Sequence, residues 1–313
     1  MKKGIFCISI DTELLWGRRA GNYKTFIEKV NKERDIIERM LGLFKKYNIA
    51  ATWAVVGHLF LKECFLKNGI KHPEIVRFIY PEIHDWFDAD PVSSIDKDSQ
   101  WYGEDLVEIL QKSPNQEIGS HSFSHICFGH PGCSEKCAES EIKTCINLAK
   151  KKKIKLSSFV YPYNSIGHIG ILKKYDFITY RGKEPYWFPL NGVLGKIFMA
   201  IDLFLPTSPP VSNPYYVGGL INIPGSYYFL SERGIRRFIP KNLRFQKAKK
   251  GIDKAIKDKK VFHLWTHPID FADNTDKLLE EFTLIIQYAD KKRSEEKLAI
   301  NTMRQIAKNY GKI

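Results

Sequence analysis

Three short stretches of the 313-residue chain carry side chains whose types and spacing suit chemistry. The first is Asp11-Thr12-Glu13. In an extended chain residues two apart share a face, so the two carboxylates point the same way. Adjacent carboxylates repel unless a cation or a proton holds them. The second is His121-Ser122-Phe123-Ser124-His125. Histidines four apart lie on one face of a helical turn or an extended strand, so both imidazoles can reach one ion. The third is His263-Leu264-Trp265-Thr266-His267-Pro268. The proline disfavours a helical His267, which places His267 at the mouth of a strand and His263 deeper, in the core. Two imidazoles and a carboxylate from Asp11 or Glu13 form the ligand set of a catalytic metal that leaves a position open for water.

The elements that must position these groups are legible as an alternation. Apolar or β-branched runs at 4–10, 50–56, 117–120, 157–161, 177–180 and 261–265 read as buried strands. Helices are expected at 33–47 (apolar at 36, 37, 40, 41, 44 and 47, with Asn48 as C-terminal cap), 104–112, 134–152, 168–175, 246–258 and 276–291. Repeated β-α alternation implies a mainly parallel sheet, open or closed into a barrel, with the active site at the C-terminal ends of the strands. All three chemical stretches follow strands. Two segments break the rhythm and are expected as insertions in one catalytic domain spanning 1–313: residues 58–103, rich in aromatics, and residues 185–231, rich in proline.

Taken in order, these stretches resemble the polysaccharide deacetylase family, the NodB-homology or carbohydrate esterase family 4 group. Ser9-Ile10-Asp11-Thr12-Glu13 is similar to its opening motif in a spaced variant, and residues 51–57 to its second strand. His121-Ser122-Phe123-Ser124-His125 resembles its metal-binding motif, Phe159-Val160-Tyr161-Pro162-Tyr163 its arginine-proline-tyrosine motif, and Leu264-Trp265-Thr266-His267 its closing motif. Residues 101–106 and Tyr180-Arg181-Gly182 resemble the intracellular glycan-biosynthesis branch. The resemblance implies a distorted (β/α) barrel that removes an N-acetyl or N-formyl group from an amino sugar with a divalent metal, Zn²⁺ foremost. It implies Glu13, His121 and His125 as metal ligands, Asp11 as general base, His267 as general acid and the backbone N–H of Tyr163 facing the oxyanion. Two departures stand out. Val160 occupies the place of the family arginine, and Arg181 after the next strand is the candidate replacement. The fourth motif has no clear match beyond Pro224-Gly225-Ser226.

Composition narrows the classes. Hydrophobic residues make up 43% and charged residues 27%, which excludes a disordered or collagen-like chain. No run reaches the 18 apolar residues of a membrane span. The opening run after Lys2 and Lys3 is cut short by Asp11 and Glu13, so no signal peptide is expected and the cytoplasm is the expected compartment. Six cysteines are then expected as free thiols, although those at 127, 133, 137 and 145, near His121, His125 and His130, raise a second zinc site.

Of the net charge of +14, residues 233–260 carry +10. With the apolar run 193–205 this suggests a phosphate-bearing substrate, lipid-linked or nucleotide-linked, or peripheral contact with the inner face of an anionic membrane. Nucleic acid is not expected, since no recognition motif or stacking pattern accompanies the basic window. The competing functions are an allantoinase-like cyclic amide hydrolase and a non-catalytic binder of anionic ligands.

Overall fold

The computed structural model describes residues 2–185, 195 and 201–311. Its centre is β1 (Gly4–Thr12), nine residues of which all but one are buried. A strand buried on both faces is largely apolar, which is what its sequence provides, Ser9 excepted, until Asp11 near its end. β2 (Ala51–Val55), β3 (Gln116–Ser120), β4 (Ser158–Val160) and β5 (Thr179–Gly182) follow on one side, each parallel to its neighbour. β6 (Tyr215–Val217) pairs antiparallel with β7 (Leu220–Pro224), and β7 runs parallel to β5. On the other side of β1 lies β9 (Val261–Thr266), followed by β8 (Tyr227–Tyr228). The order is β6-β7-β5-β4-β3-β2-β1-β9-β8. β7 and β8 are consecutive pieces of one segment: Gly225 N–H donates to Gly182 O, whereas Ser226 N–H donates to His263 O. The sheet thus curls round on itself as a distorted (β/α) barrel. β10 (Leu298–Ile300) pairs with the first residues of β1.

The helices pack outside. α1 (Glu33–Lys46) buries Ile36, Ile37, Met40, Leu41 and Phe44, and Asn48 ends it in the left-handed region at φ 48°. α2 (Glu104–Lys112) and α3 (Glu135–Lys151) follow, with Ser134 Oγ accepting from Cys137 N–H to cap α3. α4 is Ile169–Lys174, α5 Leu243–Asp258, α6 Thr275–Ser294 and α7 Met303–Tyr310. α6 buries the face expected of it: Leu278, Leu279, Phe282, Ile285, Ile286 and Ala289. At the closed end of the barrel the Glu117 carboxylate accepts from Thr52, Ser158 and Arg304 N–H, tying three strands to the start of α7.

Three expectations change. The strand expected at 177–180 begins two residues later, because Asp176 turns at φ 62° and Phe177 N–H still satisfies the Leu172 carbonyl of α4. Arg181 therefore lies within β5 and not after it. Residues 185–231 are not wholly an insertion, since β6, β7 and β8 complete the barrel. Of the apolar run at 193–205, all except residues 195 and 201–205 lie outside the described residues. The 58–103 insertion folds with isolated bridges and no strands of its own, and seals itself to the core with Phe78, Trp86, Phe87, Trp101 and Tyr102. Each such ring contributes roughly 1.5–3 kcal/mol of burial.

Candidate metal centre and catalytic cleft

A half-open cleft of about 260 Å³ lies at the C-terminal ends of the strands and is lined by Asp11, Glu13, His121, His125, Tyr163, Arg181, Trp265 and His267, among others. It brings together Asp11, Glu13, His121, His125, Tyr163, Arg181 and His267, the residues expected from the sequence for the catalytic metal site.

β1 stops at Thr12, so Glu13 lies beyond the strand, at φ −122° and ψ −32°, and Leu14 turns at φ 50°. Asp11 and Glu13 thus share the cleft through a turn and not through strand alternation. The following turn crosses the Glu13 carboxylate so closely that a Cβ on Gly17 would fall 1.7 Å from Glu13 Oε2. Only glycine fits there.

The His121–His125 loop is neither helix nor strand: Ser122 and His125 both take φ 60°. That conformation is costly for residues with a side chain, and local bonds hold it. The buried Glu141 carboxylate of α3 accepts from Phe123 N–H, Ser124 N–H and Ser124 Oγ, and Ser122 Oγ accepts from His125 N–H. His121 Nδ1–H donates to the Val160 carbonyl at 2.8 Å, which leaves the Nε2 lone pair facing Glu13 Oε1 at 3.1 Å. His125 Nε2 lies 3.1 Å from the same oxygen. Acceptors brought this close repel unless a proton or a metal ion lies between them. The donor set, two imidazoles and a carboxylate buried together, fits a divalent ion.

Asp11 is held by Arg181. The guanidinium donates from Nη1 to Oδ1 at 2.8 Å and from Nη2 to Oδ2 at 2.6 Å, a two-point fork with both partners buried. The register explains the departure from the family motif: Val160 and Arg181 are paired neighbours on β4 and β5, so the cation comes from the adjacent strand. Burial pushes the Asp11 carboxyl up, but Arg181 and the nearby imidazoles outweigh it and hold the group below its ordinary range. Arg181 also lies 4.3 Å over the Trp265 ring and donates to Ser9 Oγ, which is 2.9 Å from His263 Nε2. Burial and the Arg181 charge push His263 down to about 3, so it is neutral in the core.

His267 faces both carboxylates, with Nε2 at 3.4 Å from Glu13 Oε1 and 3.7 Å from Asp11 Oδ2. Its Nδ1 meets Asp270 Oδ2 at 2.8 Å, and the Tyr228 hydroxyl donates to that same oxygen at 2.7 Å. Burial opposes the charge on His267, yet Glu13 and Asp270 raise it well above the usual imidazole range. Tyr163 takes the left-handed conformation, φ 55° and ψ 17°, at the bend after β4, and its ring meets that of His125 at 4.6 Å. Sequence reasoning missed Asp270, Glu141, Tyr228 and also Arg18, which lines the cleft beside Glu13. Asp270 had a signal, three residues after His267 where the chain turns.

The cysteines at 127, 133, 137 and 145 are free thiols and join no metal-capable group among the described residues. Cys137 and Cys145 point from α3 into the core, where a thiol serves as a small apolar group.

No family model and no curated protein matches the chain. Solved structures do. A protein described as a polysaccharide deacetylase from Mycobacterium smegmatis matches with a TM-score of 0.64 and 11% identity, over 99% of this chain and 91% of its own. Another so described, from Pseudomonas aeruginosa PAO1, matches at 0.63 and 12%, over 98% and 91%. Puue allantoinase matches at 0.59 and 13%, over 98% and 89%. At such identities these likenesses establish one thing: the chain has the distorted (β/α) barrel fold of the polysaccharide deacetylase type.

Proposed function

We propose that the protein is a metal-dependent hydrolase that removes an N-acetyl or N-formyl group from an amino sugar of a glycan precursor. The observation that carries this reading is the convergence of His121 Nε2 and His125 Nε2 on Glu13 Oε1, flanked by Asp11 on one side and His267 on the other. A divalent ion such as Zn²⁺, held by Glu13, His121 and His125, supplies Lewis acidity toward an amide carbonyl and lowers the pKa of a water toward about 7. Asp11, ionised and oriented by Arg181, takes the proton of the attacking water. The backbone N–H of Tyr163 faces the developing oxyanion. His267, kept protonated by its carboxylate neighbours and oriented by Asp270, delivers a proton to the departing amine, which is otherwise a poor leaving group.

The carrier we assign is phosphate-bearing, met in the cytoplasm at the inner face of the membrane, as in the intracellular glycan-biosynthesis branch. Ile235 and Phe238 support this reading: they are 63% and 64% exposed between the exposed Arg233, Arg237 and Lys241. Apolar side chains amid cations suit an anionic lipid surface.

The test is release of acyl group and free amine from nucleotide-linked and lipid-linked N-acetyl and N-formyl sugars, with allantoin alongside. The reading predicts amine release from a phosphate-linked amino sugar. Opening of the cyclic amide with every sugar left intact overturns it.

A further inference from the structure

A second group of metal-capable side chains lies in the 58–103 insertion, apart from the cleft: His58, Cys64, His72 and Asp90, whose donor atoms all fall within 4.8 Å of one another. We propose that these four residues form a structural Zn²⁺ site that clamps the insertion against the loop carrying His121 and His125.

The donor set is two imidazole nitrogens, a sulfur and a carboxylate oxygen, four ligands of the kinds zinc takes in closed tetrahedral sites. Bonds of about 2.0–2.3 Å place tetrahedral donors roughly 3.3–3.8 Å apart. Around Asp90 the separations are 2.8 Å to His72 Nε2, 3.6 Å to His58 Nε2 and 3.9 Å to Cys64 Sγ. All four residues are at least nine-tenths buried. Polar groups so placed require partners, and here one atom has none: His58 Nε2, on a fully buried ring, makes no hydrogen bond and faces Asp90 across a gap too long for one.

The surroundings aim each donor inward. His58 Nδ1–H donates to the Trp101 carbonyl at 3.2 Å, which leaves Nε2 as the lone pair turned to the group. His72 presents Nε2 to the group, while its Nδ1 lies 3.5 Å from Glu74 Oε1. A ring nitrogen fixed from behind, as His58 Nδ1 is, is the usual support of metal-bound histidine. Asp90 Oδ1 accepts from Val92 N–H at 3.0 Å. The Tyr102 hydroxyl accepts from Ser93 N–H at 2.7 Å, so its own proton is free for Cys64 Sγ at 3.1 Å.

The fold gives such an ion work to do. Beyond the short turn Gly57–Phe60, the insertion has no regular strand or helix before α2. One ion joining positions 58, 64, 72 and 90 closes it into three loops. The Phe123 ring of the histidine loop packs on both His58 and His72, with centroids at 5.6 Å and 5.2 Å, and Trp86 Nε1–H donates to Ser124 O at 2.7 Å. The clamp therefore sits directly behind His121 and His125, without touching the cleft.

Cobalt substitution tests the proposal independently of any enzymatic activity. The cleft offers no sulfur, so a thiolate-to-cobalt charge-transfer band in the near ultraviolet reports this site alone. The expected result is two zinc ions per full-length chain and, with Co²⁺, a band that His121→Ala keeps and Cys64→Ser abolishes. Cys64→Asp, which retains an anionic ligand, should lose the band while still holding two ions. A wild-type chain with no such band, or a band that survives Cys64→Ser, overturns the proposal whatever the variants do to folding.

Discussion

At the scale of single residues, the cleft is organised as two opposed pairs: Asp11 with Arg181, and His267 with Asp270. In the function we propose, the first pair fixes a base in its ionised form and the second an acid in its protonated form, the separation that acid–base catalysis near neutral pH requires. Arg181 holds Asp11 below its ordinary range against the effect of burial. Removing that charge must raise the Asp11 pKa, so the acid limb of the kcat/KM profile moves to higher pH. Arg181→Gln should shift it furthest and lower neutral-pH activity by roughly 10–100-fold, within the span of general-base effects. Arg181→Lys keeps the charge without the fork and should fall between. An unmoved acid limb in both variants would mean that Asp11 is not the base. Asp11, Glu13, His121, His125 and His267 were legible because each lies at or just beyond the C-terminal end of a strand, in a short run with other polar side chains. The second metal group was not, because its members are spread unevenly from 58 to 90, whereas the dense cysteines at 127–145 pack apart.

At the scale of elements, strands buried on both faces and helices with one apolar face left a clear trace, hence the agreement for β1, β2, α1 and α6. Short strands left little. β8 has two residues and β10 three, and both exist because longer neighbours present open edges to them. α7 did have a signal in its capping box, where Thr302 and Gln305 bond reciprocally. The closeness of helix to sheet is also set by single residues. A Cβ on Gly251 of α5 would fall 2.4 Å from the Phe262 ring of β9, which is stacked on Phe6. Gly251→Ala ordinarily favours a helix, but here overpacking should cost about 1–3 kcal/mol. Thermal unfolding should show a Tm several degrees lower; an unchanged or higher Tm would contradict this packing.

At the scale of the whole molecule, the positive charge divides. Part of the basic window is structural: Arg244 is buried against Glu281 and Glu232, and Lys247 pairs with Asp202 at 2.8 Å. What is left outside, with Ile235 and Phe238, is what a membrane surface can use, each cation contributing about 1 kcal/mol near anionic lipid. Vesicles containing phosphatidylserine should retain the protein at low salt and neutral phosphatidylcholine should not, and Ile235→Ser with Phe238→Ser should weaken retention. Equal behaviour on both lipids would remove the membrane from the account. Fold by itself does not choose the reaction, since deacetylases and an allantoinase share this barrel. The choice rests on the cleft, and one measurement addresses it directly: acetate release from an N-acetyl amino-sugar substrate by chelated protein, before and after divalent metal is returned. The prediction is loss on chelation, recovery in the wild type, and no recovery in His121→Ala of unchanged circular dichroism. Undiminished acetate release by His121→Ala would contradict the metal centre assigned to Glu13, His121 and His125.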